Sequence, residues 1–442
     1  MFYIVEAASQ LQVLGNYKEV YLEVIQGNDS YHAHLSTPVA LYVRPLLLDK
    51  GFIVPIAHSE GLNVSIEDVR ELVSNFETVY VLDKKHFLYF FMHPNVLDVK
   101  LMHSLKTFSE FTLPQEPKTV LQFYRKFPAA PKVNSVIPIS WLFERCENKF
   151  TKVQKVLEDS SDVIEDTSWS FYNDTATGVF YFLEQEGLKI TQEAFVNIFK
   201  PRNPRFNIQN NLTYCHYNLY NNTSRPTNSF NSVNFAAIPK KPEYRECIIP
   251  KHDKFVEIDF DAYHVRLIAD AVGHEFTSES VHVQLGREYF NKQELTEEEY
   301  EESKKITFQQ MYGGVEERYR YISFYDKVVE LKNTLWNDFT TKGYATAPIS
   351  GKKFSNRLKD MHGLKLMNYI IQNLETSRNI LILKEVLKFL RDKKTNIALY
   401  TYDAILFDVS EEDINIVEQL KGIMSQEGKY PVKLKESNNL VL

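Results

Sequence analysis

The feature that most constrains this chain is one acid set between two apolar runs. Ala398-Leu-Tyr-Thr-Tyr-Asp403-Ala-Ile-Leu-Phe407 reads as two hydrophobic strands joined at Tyr402 and Asp403. A carboxylate buried there without a partner costs free energy. The pattern therefore predicts a hairpin that carries its acid at the tip, with a turn residue or a metal ligand as the alternatives. A second acid has a matching setting. Lys254-Phe-Val-Glu-Ile-Asp259-Phe260 alternates with period two, with Val256, Ile258 and Phe260 on one face. Asp259 falls where this strand ends and a helix begins near Tyr263. A third element is helical. Lys304, Phe308 and Tyr312 are spaced i, i+4, i+8 before Gly313 and Gly314, so one face presents a cation and two aromatic rings. Taken singly, each has an ordinary structural explanation, such as a turn acid or a snorkelling lysine.

At 442 residues, 44% hydrophobic and 25% charged, the chain is long enough for two or three packed units with ordinary cores. Its 30 Phe and 26 Tyr make those cores large. Cys146, Cys215 and Cys247 are scattered and odd in number, which fits neither a disulfide framework nor a zinc site. A reducing, cytoplasmic setting follows. No apolar run is long enough to span a bilayer, and residues 1–6 lack the basic region of a signal peptide. The net charge of −7 weighs against a nucleic-acid binder, yet basic residues cluster at Lys200, Arg202 and Arg205 and again at Lys240, Lys241, Arg245 and Lys251.

Along the chain, residues 1–125 alternate candidate strands (2–5, 19–25, 39–43, 52–56, 79–82) with candidate helices (66–75, 86–91), an α/β pattern. Residues 114–138 read as a linker, 141–158 and 177–187 as helices, and 201–235 as loop. From Phe255 the order is strand, long helices, then a strand pair.

Together these elements resemble the A, B and C motifs of the family A, polymerase I-like DNA polymerases. Asp259-Phe-Asp-Ala-Tyr-His-Val-Arg266 is similar to Asp-Tyr-Ser-Gln-Ile-Glu-Leu-Arg, and Tyr402-Asp403-Ala404 to His-Asp-Glu. Lys304, Phe308 and Tyr312-Gly313 fit the B motif. Thr223-Ser-Arg225-Pro and Asn234-Phe-Ala-Ala-Ile-Pro239 resemble the minor-groove segment. His282, Asn368 and Gln372 also stand at matching places. The resemblance spans about residues 211–442.

It implies template-directed synthesis on primer-template DNA from dNTPs. Asp259 and Asp403, with the Phe260 carbonyl, would hold two Mg²⁺ ions, or Mn²⁺ in their place. His282 and Lys304 would meet the triphosphate, Phe308 and Tyr312 the base pair, and His264 the sugar. Arg225, Asn368, Gln372 and Tyr402 would face the DNA. The expected fold is α/β and α+β: an exonuclease-like α/β domain followed by a right hand of palm, fingers and reduced thumb. The expected divisions are exonuclease-like at 1–125, linker and thumb at 126–210, palm at 211–275 and 346–442, and fingers at 276–345.

Departures from the family are specific. His264 replaces a Glu that excludes ribonucleotides, Ala404 replaces the C-motif Glu, Tyr402 its His, Tyr300 a phosphate-gripping Arg, and Ala236 a Gln. In the N-terminal region Glu23-Val-Ile25 stands where the exonuclease has Asp-x-Glu, and His86 where it has an Asp. That region therefore reads as a remnant without proofreading chemistry. The chain's compactness agrees with a phage-encoded enzyme acting in the host cytoplasm, alone or with a replisome or processivity partner. The alternatives are a catalytically impaired homologue acting as a DNA-binding replication subunit, and an RNA-synthesising or primase-like polymerase.

Overall fold

The computed structural model describes residues 3–127 and 133–442. Met1 and Phe2 of the anticipated first strand, and residues 128–132 of the anticipated linker, lie outside the described residues. The chain packs as two compact units. The first comprises Met1–Gln185, Lys200–His216 and Ser229–Val233; the second comprises Glu186–Phe199, Tyr217–Asn228 and Asn234–Leu442.

The first unit is built on strands β1 (Tyr3–Ile4), β2 (Glu19–Gln26), β3 (Pro38–Pro45), β4 (Phe52–Pro55), β5 (Thr78–Val81) and β6 (Val96–Asp98), ordered β1-β4-β3-β2-β5-β6. β2, β3 and β4 are antiparallel, whereas β5 and β6 run parallel to β2. Val20, Leu22 and Val24 of β2 pack on one side with Val69, Leu72 and Val73 of helix α1 (Ile66–Asn75). On the other side Tyr21 meets Phe150 and Tyr42 meets Phe143, at 5.4 and 5.8 Å between ring centroids. Both faces of β2 are thus buried, which is why it reads as a nearly continuous apolar run. Asp83 and Asp98 cap helices α2 (Lys84–Leu88) and α3 (Val99–Thr107) by accepting from backbone N–H groups.

Two stretches are more structured than their composition suggests. The expected linker contains helix α4 (Lys118–Lys126), entered through Pro117, before the long α5 (Ile139–Ser160). The Asn-rich stretch folds into short ladders. Ile208–Gln209 pairs with Leu212–Thr213 across Asn210 and Asn211, both with positive φ (53° and 60°). Asparagine tolerates that backbone, so loop-like composition here encodes a tight hairpin.

The second unit holds a four-stranded antiparallel sheet of β7 (Lys254–Phe260), β8 (Asn396–Thr401), β9 (Ala404–Val409) and β10 (Val432–Ser437), ordered β8-β9-β7-β10. Helices α6 (Tyr263–Ala271), α7 (Val281–Phe290), α8 (Glu297–Phe308), α9 (Ser323–Lys342) and α10 (Gly363–Leu390) accompany it. Val265 and Ile268, Val281 and Leu285, Phe324 and Tyr325, and Met367 and Ile371 form their shared core. α8 opens with a capping box between Thr296 and Glu299 and with three Glu in its first turn, which suits the positive end of a helix. It passes into a π-helical turn at Gln309–Gly313, which Gly314 ends at φ 99°. No helix among the described residues is long and apolar enough to cross a membrane.

Candidate active site

The two acids singled out in the sequence meet at one end of the second unit's sheet. β7 is the inner strand between β9 and β10, and Asp259 is registered opposite Ala404 on one side and Lys433 on the other. Ala404 directly follows Asp403. The backbone N–H of Phe260 donates to the Asp403 carbonyl at 3.0 Å, fastening the strand end to the hairpin tip. Tyr402 takes a left-handed backbone, φ 65°, which makes the tight turn. Its carbonyl accepts from Asn379 Nδ2 of α10 at 2.6 Å. Phe260 anchors the strand from beneath, stacked on Tyr263 at 4.0 Å and 9°.

Neither acid is in an ion pair among the described residues, and Asp259 Oδ1 is buried without a hydrogen-bond partner. Burial, then the nearby Asp403, push the Asp259 carboxyl up to about 6. Burial, then Glu375, raise that of Asp403. The nearest lysines are engaged elsewhere: Lys433 with Asp261 at 2.5 Å and Lys435 with Glu257 at 3.3 Å. The sheet end thus gathers two carboxyls that no ion pair among the described residues engages, and a cation is what such a place suits. No group of three or more His, Cys, Asp or Glu among the described residues is arranged to hold a metal. The donor set consists of these two carboxylates and backbone oxygen.

Behind the acids lies a residue that sequence reading missed. Glu375, on α10, is only 1% exposed at its side chain. His264 Nε2 lies 2.9 Å from its Oε1, and Arg225 Nε lies 3.0 Å from its Oε2. These are close ion-pair approaches without the alignment of straight hydrogen bonds. The other ring nitrogen of His264, Nδ1, bonds to the Tyr312 hydroxyl. The Arg225 guanidinium lies over the Tyr402 ring at 3.8 Å. His264, Tyr312, Arg225 and Tyr402 are thus brought together around one buried acid. The loop carrying Arg225 is pinned by Lys352, which donates to Ser224 Oγ at 2.6 Å and to the Asn221 carbonyl, and whose own ionisation burial lowers to about 7. The signal for Glu375 was its spacing. Asn368, Gln372, Glu375 and Asn379 recur at helical intervals on α10.

The remaining candidates form an aromatic cluster. Phe308 stacks on Tyr312 at 6.2 Å and 11° across the start of the π-helical turn, so the two share a face although the α-helix ends between them. The buried His282 ring packs between Tyr300 and Phe308, at 6.3 and 5.8 Å. Its Nδ1 has no partner, and burial lowers its pKa to about 4. Lys304 turns to Glu301 at 2.7 Å and over the Tyr300 ring at 4.4 Å. Asn368 and Gln372 are half-buried, and Asn368 Oδ1 lacks a partner. Of the basic clusters, Arg245 and Lys251 serve structure: Arg245 donates to the Pro239 carbonyl, and Lys251 pairs with Glu186. Arg266 is also structural, donating to the Asp261, Thr277 and Glu279 carbonyls.

The first unit carries acids of a different kind around a cavity of about 350 Å³. Glu23 pairs with Lys149, Asp29 with Arg145 at 3.0 Å, and Asp83 with Lys100 at 3.1 Å. Burial favours the neutral form of Asp83, but Lys100 and Lys85 hold it well below the usual carboxylate range. Lys85 itself pairs with the buried Glu184, which burial would raise but this lysine draws down to about 2. Ile25 belongs to the core, and His86 sits against Gln26 Oε1 at 3.1 Å.

The second unit thus joins an antiparallel sheet bearing paired acids to a helical layer bearing aromatic and basic side chains. Set against solved structures, this mixed α/β fold is similar to that of a polymerase domain of the polymerase I type. The structure matches the POL domain of Pol1 from M. smegmatis, solved in complex with DNA primer-template and dNTP. The TM-score is 0.72 over 100% of this chain and 99% of that one, at 13% sequence identity. No protein-family model and no curated protein matches the sequence.

Proposed function

We propose that this chain is a template-directed DNA polymerase that extends a primer 3′ end with dNTPs by two-metal-ion nucleotidyl transfer, without proofreading. The observation that carries the reading is the pair Asp259 and Asp403. They converge on one sheet end, neither is in an ion pair among the described residues, and the surrounding fold is similar to that of a polymerase domain. The orphaned Asp259 Oδ1 and the raised carboxyls fit a bound divalent cation. Asp259, Asp403 and the Phe260 carbonyl would hold two Mg²⁺ ions, or Mn²⁺ in their place. When bound, such ions activate a hydroxyl nucleophile and neutralise charge on a triphosphate.

The chain's own groups supply the rest. His282, kept neutral near pH 7 by burial, offers an unpartnered ring nitrogen beside the aromatic shelf. Lys304, one third exposed, is free to swing from Glu301 to a triphosphate. Phe308, 46% exposed and stacked on Tyr312, offers an apolar face to a base pair. His264 borders the sugar, and its imidazole replaces a carboxylate that only accepts hydrogen bonds, so ribonucleotides are excluded less strictly than in the family. Arg225, Asn368, Gln372 and Tyr402 face primer-template DNA. The division into an exonuclease remnant (1–125), linker and reduced thumb (126–210), palm (211–275 and 346–442) and fingers (276–345) belongs to this reading, as does a phage source.

Primer extension by the pure protein tests it, with dNTPs and rNTPs compared side by side in Mg²⁺ and in EDTA. Extension with dNTPs that stops in EDTA is expected. Tight primer-template binding without extension would favour the catalytically impaired homologue. Equal use of rNTPs would favour an RNA-synthesising enzyme.

A further inference from the structure

We infer that Glu375 is the positioning residue of this site: by engaging His264 and Arg225 at once it fixes the wall against which the sugar of an incoming nucleotide rests. The inference rests on the polymerase reading for its consequence but not for its geometry. A carboxylate this deeply buried is stable only when its charge is matched. Here Arg225 supplies the opposite charge at one oxygen and His264 a polar N–H at the other, from two segments far apart in sequence. Each partner reaches onward, His264 to the Tyr312 hydroxyl and Arg225 to the face of Tyr402, the residue before Asp403. One buried acid therefore ties the aromatic shelf to the hairpin that carries Asp403.

The arrangement also fixes protons. At 2.9 Å a bare nitrogen lone pair would repel a carboxylate oxygen, so Nε2, although its approach is bent, is the nitrogen that carries the hydrogen. In the neutral ring Nδ1 is then an acceptor and takes the hydrogen of the Tyr312 hydroxyl. Tyr312 is turned toward His264 and leaves only its ring and oxygen lone pairs for a ligand. Removing Glu375 frees the ring to flip or change tautomer, and it frees Arg225 from its only ion-pair partner among the described residues. Glu375→Gln is an informative change of nearly equal size. Its amide oxygen can serve one partner, but its NH₂ then faces the other as a donor against a donor.

Two measurements test this. The first needs no catalysis: ¹⁵N spectra of histidine-labelled full-length protein, with His264 assigned by loss of its signal in His264→Ala. A single Nε2-protonated form in the wild type, replaced by a tautomer mixture in Glu375→Gln, is expected. A mixture already in the wild type, or no change in Glu375→Gln, would overturn the proposal even if the protein is an active polymerase. The second compares KM and kcat for dCTP and CTP. Glu375→Gln should raise KM for dCTP about tenfold with kcat within about threefold, and should relax sugar discrimination as far as His264→Ala does. The double variant should add nothing further. Additive losses in the double variant would mean that Glu375 does not act through His264. Absence of extension by the wild type would remove the polymerase reading and leave the spectra to decide the geometry.

Discussion

The acids around the cavity of the first unit and the two acids at the sheet end of the second are treated in opposite ways. In the first, Glu23, Asp29, Asp83 and Glu184 each have a basic partner supplied by the chain: Lys149, Arg145, Lys100 and Lys85. In the second, Asp259 and Asp403 have none among the described residues, and the two lysines whose charge Asp259 feels pair with Asp261 and Glu257. An acid satisfied internally has no charge left for an external cation, and its folded state is stabilised by the pairing. An acid left unsatisfied destabilises the empty protein and gains most from an ion. The contrast distinguishes a charge-balanced framework from an unbalanced acid pair without reference to motif spelling. It explains why acidic residues clustered at the sheet of the first unit do not by themselves imply metal-dependent chemistry there.

The largest test of that contrast is catalytic. Asp259→Asn or Asp403→Asn should cut primer extension by about a thousandfold or more, equivalent to roughly 4 kcal/mol of transition-state stabilisation, with primer-template affinity nearly unchanged. Glu23→Gln and Asp83→Asn should leave extension within about twofold, and none of the four proteins should remove a mismatched primer 3′ nucleotide. Metal-dependent excision by the wild type that Glu23→Gln abolishes would erase the distinction between the units.

Stability provides the next test, with the units exchanging roles. Lys149→Met alone strands the largely buried Glu23 carboxylate and should cost roughly 3 kcal/mol in denaturant unfolding. Adding Glu23→Gln should recover most of that loss. Asp259→Asn, by contrast, should leave the metal-free protein as stable as the wild type or more so. A loss from Asp259→Asn comparable to that from Lys149→Met would mean that Asp259 has an internal partner.

The smallest effect is in the pH dependence. Asp259 ionises near 3.8 in the unfolded chain and about 6 in the folded one. Between those values the folded state holds the extra proton. Its stabilising contribution is complete below about 4 and is lost as pH rises through about 6. Asp83, depressed instead, contributes above the usual carboxylate range and loses its contribution as pH falls. In EDTA, the melting temperature of the wild type minus that of Asp259→Asn should therefore fall from pH 4.5 to pH 8. Mg²⁺ should reverse the trend above pH 6, because it binds the ionised carboxylate. A pH-independent difference would place Asp259 in an ordinary exposed environment.

Much of this was legible from local pattern. The alternation in 254–260 and the apolar runs around Tyr402 and Asp403 required strands whose acids lie at an end, and the structure forms those strands. The α/β alternation of residues 1–125 likewise became the six-stranded sheet. The helical spacing of Glu375 placed it on the face of Asn368 and Gln372 but not its role, which lies in two partners, at positions 225 and 264, that only tertiary packing brings to it. The ion pairs of the first unit were hidden for the same reason: Glu23 and Lys149 come together only when α5 covers the sheet. The hairpin at Asn210 and Asn211 was misread as loop, since left-handed asparagines serve both.

The placement of β7 also bears on how the site comes into being. β7 lies between β9 and β10, so everything from residue 261 to residue 403 must be gathered into a closed loop before Asp259 and Asp403 can meet. Its second edge waits for residues 432–437. Local helices form in microseconds, whereas pairings across such separations are slow because the loop entropy is lost before any contact compensates. The acid pair is therefore among the last features to assemble on a nascent or refolding chain, and recovery of metal-dependent function should lag recovery of helical signal.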